Sequence, residues 1–120
     1  MIDRAVEFVP TPGSRIGSPL MRVRRPGAIT VSRAAMELLP PDTRLVRLMW
    51  LPDVRALEFI PDSQGLVVLT RIGRGRRAGV IRSASLTRWI ASQHIPFGVY
   101  RVARQPHGAL RATLVREDPP

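Results

Sequence analysis

From Leu20 onward the chain delivers one order of signals twice, about fifty residues apart. In the first run, residues 20–24 alternate like a strand, Pro26-Gly27 turns the chain, and residues 28–31 return as a second strand. Ser32 caps a short helix over 33–39, which Pro40-Pro41 stops. Residues 45–51 and 56–60 then read as a hairpin about Pro52-Asp53. The second run has a strand at 65–72, a Gly/Arg turn at 73–79 and a short strand at 80–82. Ser83 caps a helix reaching Ser92, followed by strands at 97–103 and 109–115 about Pro106-His107-Gly108. Ser32 answers to Ser83, Val46-Arg47-Leu48 to Tyr100-Arg101-Val102, and Ala56-Leu57 to Ala109-Leu110. The helix faces Ala35, Leu38, Leu39 and Leu86, Trp89, Ile90 share the spacing of one buried stripe.

Neither helix is long enough to be stable alone. A unit of four short strands and one short helix cannot bury its own apolar face. Two units can, by interleaving into one barrel about a pseudo-twofold axis, which also removes exposed sheet edges. The expected fold is therefore mainly β with two short helices, a pseudo-twofold β-barrel of two strand–strand–helix–strand–strand repeats. With 120 residues, 44% of them hydrophobic and 23% charged, the chain has the composition of one globular domain. Residues 1–19, rich in Pro, Gly and Ser, read as an extended arm whose apolar piece 5–9 can add a strand. The barrel covers 20–116, as repeats 20–62 and 65–115, and 117–120 form a tail. Both units lie in one chain, so a folded monomer is expected to be possible.

The segment 21–39 and the hairpin to Ile60 resemble the AbrB-type swapped-hairpin DNA-binding unit: strand, glycine turn, strand, short helix, hairpin. Two such units in one chain are similar to the MraZ family of swapped-hairpin regulators. The resemblance spans 20–115 as pattern more than identity. Gly27 and Gly79 fit the family's turn glycine, whereas Ala28 and Val80 stand at its arginine, Ser32 at its proline and Met36 at its helix arginine. The resemblance implies DNA binding through the loops beside those glycines, where Arg22, Arg24 and Arg25 precede one and Arg71, Arg74, Arg76 and Arg77 the other.

The net charge is +10, and all 19 basic residues are arginine. Ten arginines and no acid lie between Ser63 and Arg116, against nine arginines and seven acids in residues 1–62. An uncompensated basic half attracts a polyanion, and the planar guanidinium suits phosphate. The strongest local feature runs from Arg71 to Gly79, four arginines among three glycines. Glycine permits close backbone approach, so amides and guanidinium forks can face phosphates together. Arg82 extends this surface. Arg47, Arg101 and Arg111 alternate with apolar residues, which puts them on the outer face, with Asp53 and Glu58 placed to pair with Arg47.

Other chemistries lack their residues. There is no cysteine, and His94 and His107 stand apart from any carboxylate, so no metal is expected. Gly73-x-Gly75-x-x-Ala78 weakly matches a dinucleotide fingerprint but precedes a turn and a strand, and no acid follows to hold a ribose. No serine triad or paired acid and base stands out, so neither an enzyme nor a cofactor is expected. Trp50 and Trp89 read as core or interface, and six aromatics make a poor base-stacking platform. No apolar run is long enough to span a bilayer, and the first twenty residues lack a signal-peptide pattern, so a soluble, cytoplasmic protein is expected. The leading expectation is a nucleic-acid-binding protein, DNA ahead of RNA, that grips phosphates through Arg71, Arg74, Arg76, Arg77, Arg82, Arg22, Arg24 and Arg25 and acts as a regulator. The alternative is a non-catalytic accessory subunit of a larger nucleoprotein assembly, for instance from a mobile element or phage, with the arm contacting a protein partner.

Overall fold

A computed structural model describes residues 17–120. The expected arm strand at 5–9 and most of the arm lie outside them. The described chain runs β1 (Leu20–Arg24), β2 (Ala28–Val31), α1 (Arg33–Met36), β3 (Leu45–Leu51), β4 (Ala56–Pro61), β5 (Val67–Val68), β6 (Thr70–Ile72), β7 (Ala78–Ile81), α2 (Ala84–Ser92), β8 (Gly98–Arg104) and β9 (Leu110–Glu117). All pairings are antiparallel, in the order β5-β3-β4-β9-β8-β1-β2-β7-β6.

The nine strands make a nearly closed barrel-like sheet. Its two terminal strands, β5 and β6, are consecutive in the chain and separated only by Leu69. The sequence suggested one strand over 65–72, but the segment pairs with β3 through Val67 and Val68 and with β7 through Thr70 to Ile72. The change of neighbours falls at Leu69, which belongs to neither strand. Its side chain is buried and its amide donates to the Arg44 carbonyl at 2.8 Å. β7 likewise begins at Ala78, two residues before the expected strand at 80–82.

Alternation fixes which face is inside. Met21, Val23, Ile29 and Val31 are buried, while Arg22, Arg24 and Thr30 between them face outward. Val46, Leu57, Phe59, Ile81, Tyr100, Val102 and Leu110 complete the inner surface. The helices and the turn after α1 plug it with Ala35, Met36, Leu39, Leu86 and Ile90. Of the stripe that the sequence spacing predicts, Leu38 and Trp89 are only partly buried, and Met36 joins the core outside it, while Trp50 packs at the margin. Both serine caps form: Ser32 accepts from the Ala35 amide at 3.2 Å, Ser83 from that of Leu86 at 3.0 Å. α1 is shorter than the expected 33–39. Beyond Met36 the chain tightens, with Leu38 and Leu39 donating to the third residue back, because the prolines at 40 and 41 supply no amide to continue the helix.

Each half's glycine supports the other half's helix. A side chain at Gly27 would strike the Thr87 backbone on α2, and Thr87 donates its hydroxyl to the Gly27 carbonyl at 3.2 Å. A side chain at Gly79 would strike the Met36 sulfur on α1. Close packing of turn or strand on helix therefore accounts for both glycines.

Candidate nucleic-acid interface

The turn joining β6 to β7 is built by backbone conformations that favour glycine. Gly73 and Gly75 have φ of 82° and 69°; Gly73 precedes the short 3-10 turn Arg74–Arg76 and Gly75 lies within it. Arg74, Arg76 and Arg77 on this turn are exposed, with the Arg77 side chain lying back across Gly75. Among the described residues none of the three forms an ion pair. Arg71, on β6, is half-buried and one Nη of its guanidinium donates to the Pro41 carbonyl at 2.6 Å, which ties its head at the base of the turn.

Two residues that the sequence did not single out join this group. Arg44 lines a groove with Arg71 and Arg76, and Arg33 lines another with Arg74 and Arg77. Nothing linear announces either. Arg44 arrives because Leu45 pairs with Val68, and Arg33 because β2 leads into α1 beside Gly79. The same folding corrects the charge argument. Although the second half is acid-free up to Arg116, the first half supplies Asp42 to one groove and Glu37, paired with Arg33 at 3.3 Å, near the other. Six arginines still stand against two carboxylates.

The eight expected site residues do not converge. Val31 pairs with Gly79 and Ile29 with Ile81, so the turn at 25–27 lies beyond one end of these strands and the turn at 73–77 beyond the other. From Ala28 to the level of Ala78 the strands span four residues, about 13 Å at roughly 3.3 Å per residue, with one turn beyond each end. Arg71, Arg74, Arg76 and Arg77 occupy one end, whereas Arg24, Arg25 and Arg82 occupy the other. Arg22 and Arg25 also have intramolecular partners. Arg22 pairs with Asp118 at 3.3 Å. Arg25 stacks 4.6 Å over the Phe97 ring and donates to the Pro119 carbonyl at 3.1 Å. Arg24 is exposed, with a long 3.4 Å contact to the Thr30 hydroxyl, and Arg82 is exposed.

Arg47 does not take the expected carboxylates. Glu58 faces Arg111 directly across β4 and β9 and receives both its Nε and an Nη, at 2.9 and 2.7 Å. Arg47 faces Ile60 and reaches Glu58 only diagonally, so the direct neighbour wins. His94 and His107 are exposed at positive φ, and among the described residues no cluster of metal-ligating side chains exists. No described helix is long and apolar enough to cross a membrane. No protein-family model, curated protein or solved structure matches the chain.

Proposed function

We propose that this protein binds nucleic acid, DNA ahead of RNA, through the arginine turn between β6 and β7. The observation that carries the reading is the exposed trio Arg74, Arg76 and Arg77, held on a glycine-shaped turn with Arg33, Arg44 and Arg71 converging around it. Exposed guanidinium groups on a surface turn form charge-assisted bonds to phosphate oxygens without reorganising the core. The turn leads into a strand, with no helix N-terminus to seat a dinucleotide's pyrophosphate. The protein is read as a non-catalytic regulator.

The proposal extends to the architecture, two interleaved swapped-hairpin units of AbrB or MraZ type. Three features support it. The hairpins alternate around the sheet between the two halves, and with β5 and β6 together counted as the counterpart of β1, exchanging the halves leaves the list of neighbours unchanged. Where like strands meet, Thr30 faces Val80 and Glu58 faces Arg111, separations close to the offset of the sequence repeat. Gly27 against Thr87 mirrors Gly79 against Met36, each helix residue lying four beyond its serine cap.

The test is a salt titration of binding to unrelated DNA and RNA duplexes, with circular dichroism as the folding control. Replacing Arg74, Arg76 and Arg77 by serine is expected to keep the fold and reduce the salt slope by up to about three units. Arg47→Ser with Arg101→Ser, on the outer face of β3 and β8, is expected to change it less. An unchanged slope in the triple variant removes the turn as the site. A sequence preference among DNA duplexes identifies a regulator. A parent that binds neither duplex at low salt favours the accessory-subunit reading, which the exposed apolar Leu66 and Val68, beside a groove lined by Leu48 and Trp89, also support.

A further inference from the structure

We propose that the C-terminal segment 117–119 occupies a second phosphate site, centred on Arg22 and Arg25, and that nucleic acid displaces it. The inference rests on the nucleic-acid reading above and concerns the opposite end of the β1–β2–β7–β6 ribbon.

The chain folds its last acidic residues onto its own arginines. The Asp118 carboxylate takes one Nη of Arg22 at 3.3 Å, and the Pro119 carbonyl takes one Nη of Arg25 at 3.1 Å. Glu117 pairs with Arg55 at 3.1 Å, and the Asp118 amide donates to the Phe97 carbonyl at 2.8 Å, which holds the segment in place. Carboxylate and carbonyl oxygens here stand where phosphodiester oxygens would.

The fit is incomplete in an informative way. The Arg22 Nε is buried and has no hydrogen-bond partner, the one such side-chain atom among the described residues. A buried N–H without an acceptor is costly, and a guanidinium fork is best satisfied by two oxygens of one anion. Asp118 satisfies a single tine at a long distance. Arg22 also lines a shallow groove with Thr30 and Arg116, which gives an incoming phosphate a hydroxyl and a second cation. Arg25 is already oriented by its stacking on Phe97. Glu117 ends β9 and stays paired with Gly98, so what must yield is its exposed ion pair with Arg55 and the contacts of Asp118 and Pro119. The Arg22–Asp118 pair is part-buried, while pairs of the exposed kind are individually weak and screened by salt. A polyanion with several phosphates therefore outcompetes a segment bearing two carboxylates.

The experiment compares duplex binding over a salt series for the full-length parent, for Glu117→Gln with Asp118→Asn, and for Asp53→Asn with Asp62→Asn as a control of equal charge. Neutralising the tail is expected to raise affinity at low salt by ~10-fold and steepen the slope by up to about two units. The control pair is expected to gain much less, and adding Arg22→Ser to the tail variant is expected to abolish the gain. Equal gains in tail and control variants would overturn the proposal, as would a tail variant indistinguishable from the parent. A gain for polyglutamate but not for duplex would overturn it in favour of an acidic protein partner. If the parent binds and loses binding in the Arg74, Arg76, Arg77 triple variant while the tail variant gains nothing, only this inference falls. If the parent and the tail variant both fail to bind, this inference and the nucleic-acid reading fall together.

Discussion

Tyr100 is the chain's only tyrosine, and it sits at the centre of the barrel with no exposed surface. Its hydroxyl donates to the Pro96 carbonyl at 2.6 Å, so the polar end of a large core side chain is satisfied. Burial pushes the phenol's pKa above its ordinary 10.0. Arg55 opposes the shift and Glu117 adds to it. The folded protein thus keeps a proton that the unfolded chain releases above pH 10.0. Tyr100 contributes stability that is complete below that pH and is lost as the pH rises past it. The melting temperature of the parent is expected to fall more steeply above pH 10.0 than that of Tyr100→Phe. Tyrosinate absorbance is expected to appear together with unfolding. Reversible titration near pH 10.0 in a protein that still shows native circular dichroism would contradict this account.

At the scale of elements, the two serine caps are chemically alike and structurally unequal. Ser83 holds only its helix, through the Leu86 amide and the first turn of α2. The Ser32 hydroxyl accepts from the Ala35 amide, accepts from the Leu20 amide at 3.0 Å and donates to the Ser18 carbonyl at 3.2 Å. It therefore joins α1 to the start of β1. Ser83→Ala is expected to cost about 1 kcal/mol, and Ser32→Ala about 2 kcal/mol because a strand contact is lost with the cap. Urea midpoints of the two variants measure the difference, and equal costs would mean that the Leu20 bond contributes nothing. These caps were legible in the sequence because capping is local: a serine precedes an apolar stripe with helical spacing. The same holds for Pro26-Gly27 and Pro52-Asp53 as turns. The break at Leu69 was not legible, since Val67 to Ile72 has uniform strand propensity and only the identity of its two neighbours divides it. Arg33 and Arg44 were missed for the same reason, and so were the partners of Arg22 and Arg25. Those contacts depend on strand register between distant segments, which no local pattern encodes. The arginine turn at 73–77 was visible because its charge and its glycines lie together in the chain.

In the whole molecule, neither half has a complete set of neighbours of its own. β1 and β2 lie between β8 and β7, while β4 pairs with β9, so the core is shared at every boundary between hairpins. A fragment of residues 20–62 is expected to be unfolded at low concentration, whereas the full chain melts in one transition. Circular dichroism with sedimentation analysis checks this, and a cooperatively folded monomeric fragment would refute it. The closure at Leu69 has a dynamic consequence. Along the β3–β5 boundary only Leu45 with Val68 and Val46 with Val67 are paired, while β3 and β4 share six residue pairs. Local opening with the lowest free energy is therefore expected at that boundary, well below global unfolding. The Leu69 amide, bonded across it to Arg44, would then exchange with solvent hydrogen sooner than Val23 or Tyr100. Since β6 follows Leu69 and leads into the arginine turn, each such opening loosens the strand that carries one side of that turn without unfolding the barrel.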